Sequence, residues 1–350
     1  MKSSFISSSA LQNAMLLTIR QSQNQLIKST QESVTQTYAD VGLSLGGFAA
    51  RSVDFNREVS RIEALKDSNS TVSGRLESSQ NSLDLMAKAA QDMFDKITAL
   101  RGGQESGSIE LSIDSAQAGL ASMINAGNTM VNGEYLFAGI NTDVQPLTDQ
   151  SSTVIPDIQT AFQTYWSTTL GHASASEVTG KEMEDFITGT VEPMFSEANW
   201  TDPTTGWSQA SSQNMTSRIN NSEVIESSTN ANTDAMRYFA LASMTTSALL
   251  DQGLGADALN AVSDKAISYS RQAMDGLTNV QGQLGLSQER VEKADDALDA
   301  QKNIIQNKIV DLVGVDQNEA ATQVKTLQNQ LETAYTLVSK IQQLSLVNYL

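Results

Sequence analysis

At 350 residues the chain exceeds the usual single-domain size, so two or three domains are expected. It contains no cysteine, which excludes disulfides, thiolate nucleophiles and thiolate metal sites. Its net charge of −18 argues against a nucleic-acid partner, because binding phosphates requires a basic face.

The opening, MKSSFISSSALQ, has neither a basic n-region nor a continuous apolar h-region, so a cleaved signal peptide is not expected. No stretch approaches the roughly 18 apolar residues of a membrane span, so no membrane insertion is expected. Leu11, Met15, Ile19, Leu26, Val34, Tyr38 and Val41 follow a 3.5-residue period, with Ser22 and Thr30 at the remaining positions. This predicts a helix to about residue 41, stopped by the glycine-rich run Gly42-Leu43-Ser44-Leu45-Gly46-Gly47. A second helical run, about 50–100, passes through Val53, Val59, Ile62, Leu65, Val72, Leu76, Leu83, Met86, Ala90, Met93 and Ile97. It ends at Arg101-Gly102-Gly103.

A helix of about 113–130 should lead into a β-hairpin at 133–147, with strands Glu134–Ala138 and Ile140–Val144. All four prolines, all three tryptophans and the one histidine lie between Pro146 and Trp207. Residues 149–235 also hold 12 acids against 2 bases. Apart from a helical turn at Lys181–Ile187, the stretch 149–212 reads as a small mixed or β-rich outer domain. A strand pair over Asn214–Glu226, turning at Asn220-Asn221, closes it.

Helices resume at about 232–250 and 255–283. Val291, Ala294, Leu298, Gln301, Ile305, Lys308, Leu312 and Val315 then make a stripe in alternating threes and fours. Ala320, Val324, Leu327, Leu331, Ala334, Val338, Ile341 and Ser345 make another. Between them Gly314 suits a helix C′ position, and Asp316 with Glu319 resembles a capping box. Two stacked helices, about 287–313 and 317–346, are predicted. One stripe alone favours an ordinary helical bundle. Together, the mirrored arms predict a mainly α, elongated helical rod of paired N- and C-terminal helices, with a β-hairpin and an outer domain. The predicted domains are 1–41 with 316–350, 48–148 with 213–314, and 149–212.

Catalysis is not expected. A nucleophilic triad would have to use His172, which sits between Gly171 and Ala173 and reads as a loop histidine. A single histidine excludes the two-histidine zinc motif, and no phosphate-cradling glycine pattern occurs. Glu182, Glu184 and Asp185, or Asp295, Asp296 and Asp299, have the chemistry for acid–base work, but carboxylates on a helix flank are usually solvated and paired, here with Lys302 nearby. No cofactor or metal ligand set is identified.

Four segments resemble the flagellin family of bacterial flagellar proteins: Ile6–Asn13, NGEYLFAGINTDVQPL at 132–147, GQLGLSQERVEKA at 282–294, and 315–350. The ending Lys340-Ile341-Gln342-Gln343-Leu344-Ser345-Leu346-Val347-Asn348-Tyr349-Leu350 is of the hook–filament junction kind within that family. Tyr38–Arg51 departs from the family pattern, having neither proline nor an acidic pair, so no joint contacts carry over. The resemblance implies a non-catalytic structural protein of the extracellular flagellum, exported without cleavage through the flagellar type III apparatus. It implies as partners copies of itself, the other junction protein, flagellin and an export chaperone. It places the assembly interface on Leu11, Met15, Ile19, Leu26, Val324, Leu327, Leu331, Val338, Ile341, Leu344 and Leu346. A filament subunit shares these features, and the heptads also fit a cytoplasmic coiled-coil adaptor. An enzyme in the middle segment is the third alternative.

Overall fold

The computed structural model describes residues 8–102 and 106–347. In chain order the helices are α1 (Ser8–Thr35), α2 (Val41–Leu45), α3 (Ala49–Gly102) and α4 (Ser106–Gly127). A hairpin of β1 (Met130–Val131) and β2 (Glu134–Tyr135) precedes α5 (Ser151–Thr164), α6 (Gly180–Phe186), α7 (Glu192–Met194) and α8 (Glu197–Trp200). A second hairpin, β3 (Thr216–Arg218) with β4 (Val224–Glu226), leads to α9 (Asp234–Leu249), α10 (Ala256–Val313) and α11 (Gln317–Val347). Both sheets are two-stranded and antiparallel, and the chain is mainly α. It divides into two compact units, Met1–Ala64 with Ala297–Leu350, and Leu65–Asp296.

The unit Leu65–Asp296 is built on long seams. Along α3 the buried line runs Val72, Leu76, Ser79, Leu83, Met86, Ala90, Met93, Ile97 and Leu100, in strict fours and threes. This is the spacing that keeps one narrow face toward a partner helix. The expected break in α10 near 283–287 does not occur, and one helix of 58 residues runs through it. Gly282 and Gly285 each weaken a helix by only about 1 kcal/mol. Burial of Leu277, Leu284, Val291 and Ala294 on either side outweighs that. Helix α9 is different. From Ala235 to Leu249 nearly every residue is at least half-buried, including the hydroxyls of Ser243, Thr245 and Thr246. A helix enclosed on every side needs no polar face. It packs on α4 and α5, and Ser243 Oγ donates to the Ala116 carbonyl at 2.6 Å.

The middle, expected as mixed or β-rich, is helical instead. Its abundant Ser and Thr hide a helical spacing that burial reveals: Ile158 and Phe162 in α5, then Met183, Phe186, Ile187 and Val191 from α6 onward. Two π-helical turns, Tyr165–Thr169 and Ile187–Val191, interrupt the regular winding. The Thr179 hydroxyl caps α6 in a complete capping box with Glu182. Side chains of 149–212 join the same buried cluster as α4, α9 and α10. Trp200 stacks on Trp207 at 5.8 Å, and its indole N–H donates to the Ala231 carbonyl at 3.0 Å.

The first hairpin sits earlier than expected. Met130 pairs with Tyr135 and Val131 with Glu134 around Asn132-Gly133, both at positive φ. That is the turn chemistry Asn-Gly provides. The expected second run, Ile140–Val144, makes no ladder with 134–138. Residues 137–140 are held instead by 211–213 and 230–231: Ser211 N–H donates to Ala138, Ile140 N–H to Gln213 and Ala231 N–H to Phe137. Gly139, at φ 62, leaves no room for a side chain, since a Cβ would lie 2.3 Å from the Ser211 carbonyl. The second hairpin falls where the sequence places it, with Asn220 Oδ1 accepting from the amides of Ser222 and Glu223.

Candidate assembly interface

The terminal helices lie in the unit Met1–Ala64 with Ala297–Leu350, where α1 packs against α11. On α11 the covered line is Ala320, Val324, Leu327, Leu331, Ala334, Val338 and Ile341, with Ala320 and Leu331 fully buried. On α1 it is Gln12, Met15, Ile19, Ser22, Leu26, Ser29 and Ser33, with Ile19 and Ser29 fully buried. The steps on both helices alternate between three and four. Thr30 and Val34, read as seam positions, point away: Val34 is 77% exposed while Ser29 is 3% exposed. A small residue inside lets the helices approach closely. Leu11 is exposed, and Leu344 and Leu346 lie outside the described side chains.

Helix α1 stops at Thr35 rather than near 41, because Gln36 takes φ 57 and ends the winding. The joint 36–40 ends on Asp40, whose carboxylate accepts from the Leu43 amide and caps α2. At the other end of the chain α10 stops at Val313. Asp316 Oδ1 accepts from the Asn318 amide at 2.7 Å and starts α11. In α10 the expected stripe slips: Lys308 is exposed and Ile309 takes its place. Val53 is exposed in the same way, and Ser52 faces inward.

The unit also leaves much apolar surface uncovered. Among the described residues, large exposed hydrophobics number twelve in this unit (Leu11, Leu16, Leu17, Ile27, Val34, Leu43, Phe48, Val53, Ile304, Val310, Tyr335 and Leu337) against seven in the larger one. Leu16, Ile27 and Val34 are spaced by eleven and seven residues, so they share one face of α1, roughly 100° around the helix from the seam. Charge is sparse: α1 carries Arg20, Lys28 and Glu32, and α11 carries Glu319, Lys325, Glu332 and Lys340. Nearer the unit's base, Lys302 pairs with Glu63 at 2.7 Å. Glu58 takes two bonds from Arg61, which holds its carboxyl below the usual carboxylate range. Such exposed pairs contribute little to stability.

The groups with catalytic chemistry are placed as structural partners. His172 Nε2 lies 3.3 Å from Glu182 Oε2, and Glu182 is already engaged by the amide and hydroxyl of Thr179, which pull its pKa down. Asp185 pairs with Lys181, and Asp295 accepts from the buried amide of Asn69. Tyr269 donates to Glu192, which also receives Lys265; burial first, then that carboxylate, raises the Tyr269 pKa. An open cleft of about 750 Å³ between α6 and α10 is lined by Lys181, Glu184, Asp257, Asp264 and Lys265, most of them ion-paired. Among the described residues, no group of three acidic or histidine side chains could hold a metal ion, and no helix is long and apolar enough to cross a membrane.

Comparison with known proteins agrees with this layout. The bacterial flagellin N-terminal helical region matches residues 6–142, and the bacterial flagellin C-terminal helical region matches 267–350. Together they span more than half of the chain. No curated protein matches. Among solved structures, a protein of Vibrio parahaemolyticus, provisionally assigned as flagellar hook-associated, aligns with a TM-score of 0.54 at 12% identity, covering 76% of this chain and 97% of its own. Bacillus cereus FlgL aligns with a TM-score of 0.51 at 12% identity, covering 73% and 99%. At that identity the likeness is one of fold.

Proposed function

This chain belongs to the flagellin family of flagellar structural proteins, and from that membership we propose that it joins hook to filament by self-assembly of its terminal helices. The observation that carries the assembly reading is the α1–α11 pair. Its seam is satisfied within the chain, yet its outer faces keep Leu16, Ile27, Val34 and Leu337 exposed with little charge between them. A monomer has no use for such a surface, whereas neighbouring copies would cover it. The interface residues are then of two kinds. Met15, Ile19, Leu26, Val324, Leu327, Leu331, Val338 and Ile341 hold the pair together, and the exposed set meets neighbours. Leu11, exposed at the start of α1, belongs to the second kind.

Assignment to the junction rather than the filament rests on the ending from Lys340 to Leu350, and the fold shared with hook-associated proteins is consistent with it. The partners in this reading are further copies of the chain, the second junction protein, flagellin and an export chaperone, and the location is the extracellular flagellum. The role is structural, not catalytic. The test is to image labelled protein on cells with flagella attached. A narrow band at the hook–filament boundary is expected. Labelling along the whole filament, or long filaments formed by the purified protein alone, would make it a filament subunit. Retention inside the cell would favour the adaptor.

A further inference from the structure

The two joints of the terminal unit are bonded to each other. Tyr38 N–H donates to the Val313 carbonyl at 3.0 Å, and Val315 N–H donates to the Gln36 carbonyl at 2.9 Å. Thr37 and Gly314 thereby form an antiparallel bridge. Gln36 Nε2 adds a bond to Gln317 Oε1 at 3.3 Å. The geometry is specific: Gln36 sits at φ 57, and a Cβ on Gly314 would lie 2.4 Å from the Val310 carbonyl. Residues some 275 to 281 positions apart in sequence are thus held as one short two-stranded element.

The seam beyond the joint specifies register poorly. Both helices repeat apolar and small residues every seven positions, with Ser22, Ser29 and Ser33 on α1 and Ala320 and Ala334 on α11. A slip of one heptad sets an apolar or small residue on every seam position again except at Gln12, near the far end of α1 from the joint. Helix pairs usually fix register with a seam polar residue or with flanking charges. Here, among the described residues, no ion pair joins α1 to α11. The bond from Gln23 Nε2 to Tyr335 Oη, 2.7 Å, is exposed.

We propose that the joint pair is a clasp that sets the register of α1 against α11. Strand-type pairing counts single residues, so the bridge closes in one alignment only. A slipped heptad would displace the helix ends by about 10 Å, further than two backbone hydrogen bonds can follow.

The native chain has no cysteine, so register can be read by cross-linking in the purified full-length protein. Gln23→Cys with Tyr335→Cys reports the native register, and Gln23→Cys with Gln328→Cys reports a slip of one heptad. Both designs remove the Gln23–Tyr335 bond and leave the clasp. With a short bismaleimide, the native pair should link at least about tenfold faster. Val315→Pro removes one clasp donor, and Gly314→Ala crowds the joint while keeping both donors. Either should bring the ratio to within about twofold while circular dichroism retains the helical signal. Should Val315→Pro lose that signal, Gly314→Ala decides. A ratio that persists in the clasp variants, or no preference in the intact protein, overturns the proposal.

Discussion

Leu331→Ala and Ile27→Ser should separate what holds the terminal pair together from what joins it to neighbours. Leu331 is 7% exposed on the seam, so truncation removes three buried carbons, about 2.4 kcal/mol at about 0.8 kcal/mol each. Incomplete closure of the seam brings the cost to about 2–3 kcal/mol. At about 1.4 kcal/mol per factor of ten, the open population of the pair rises roughly 30- to 140-fold. Amide hydrogen exchange on α1, in particular around Ile19–Ser33, should accelerate accordingly although the change is on α11. Ile27 is 66% exposed, so Ile27→Ser should stay within about 0.5 kcal/mol in the monomer and leave exchange nearly unchanged. Burial of two-thirds of an isoleucine by a neighbouring copy contributes about 1–2 kcal/mol per contact, so the same variant should incorporate poorly into flagella. Equal acceleration by both variants would show that the two faces are misassigned. Normal incorporation of Ile27→Ser would show that this face meets no neighbour.

Replacing 150–212 with a short Gly/Ser linker should abolish the cooperative helical melt of the larger unit, because Phe162, Phe186 and Trp200 would leave its buried cluster; an unchanged melt would refute that shared core. Gly139→Ala should cost about 3 kcal/mol, from positive φ and contact with the Ser211 carbonyl, and lower the melting temperature by roughly 6–12 °C. A shift under about 2 °C would mean the strand shifts freely. The Glu182 carboxyl titrates below its unfolded value of about 4.3, so its contribution is present above that pH and is lost as pH falls through the lower folded value. Exchange at the Thr179 and Glu182 amides should therefore rise as pH falls below that unfolded value, and Glu182→Gln should flatten that dependence. An unaltered profile in Glu182→Gln would place the titrating group elsewhere.

The heptads of the C-terminal arm and the break at Gly314 were legible because long proline-free helices repeat one local rule many times. The phase of α1 was harder. Val34 fits an apolar stripe better than Ser33, and only the close approach of two helices favours the serine. The middle misled for a related reason: its Thr and Ser cover the outer faces of helices whose inner faces carry few, widely spaced large residues. The hairpin was misplaced because the pairing of 137–140 with 211–213 and 230–231 spans some 70 to 90 positions, which no local pattern encodes. The exposed line Leu16, Ile27 and Val34 could have been found as a second period on α1, offset from the first.

The enclosure of α9 has a kinetic side. Its neighbour α4 ends at Gly127, and α9 begins at Asp234. Closing a loop of that length costs roughly 4 kcal/mol in chain entropy before any contact offsets it. Delivery of the chain from its N-terminus leaves the face of α4 around Gly119 and Leu120 without its cover until Phe239 and Met244 of α9 have emerged. The order in which residues appear therefore sets how long sticky surface is open to other chains during folding.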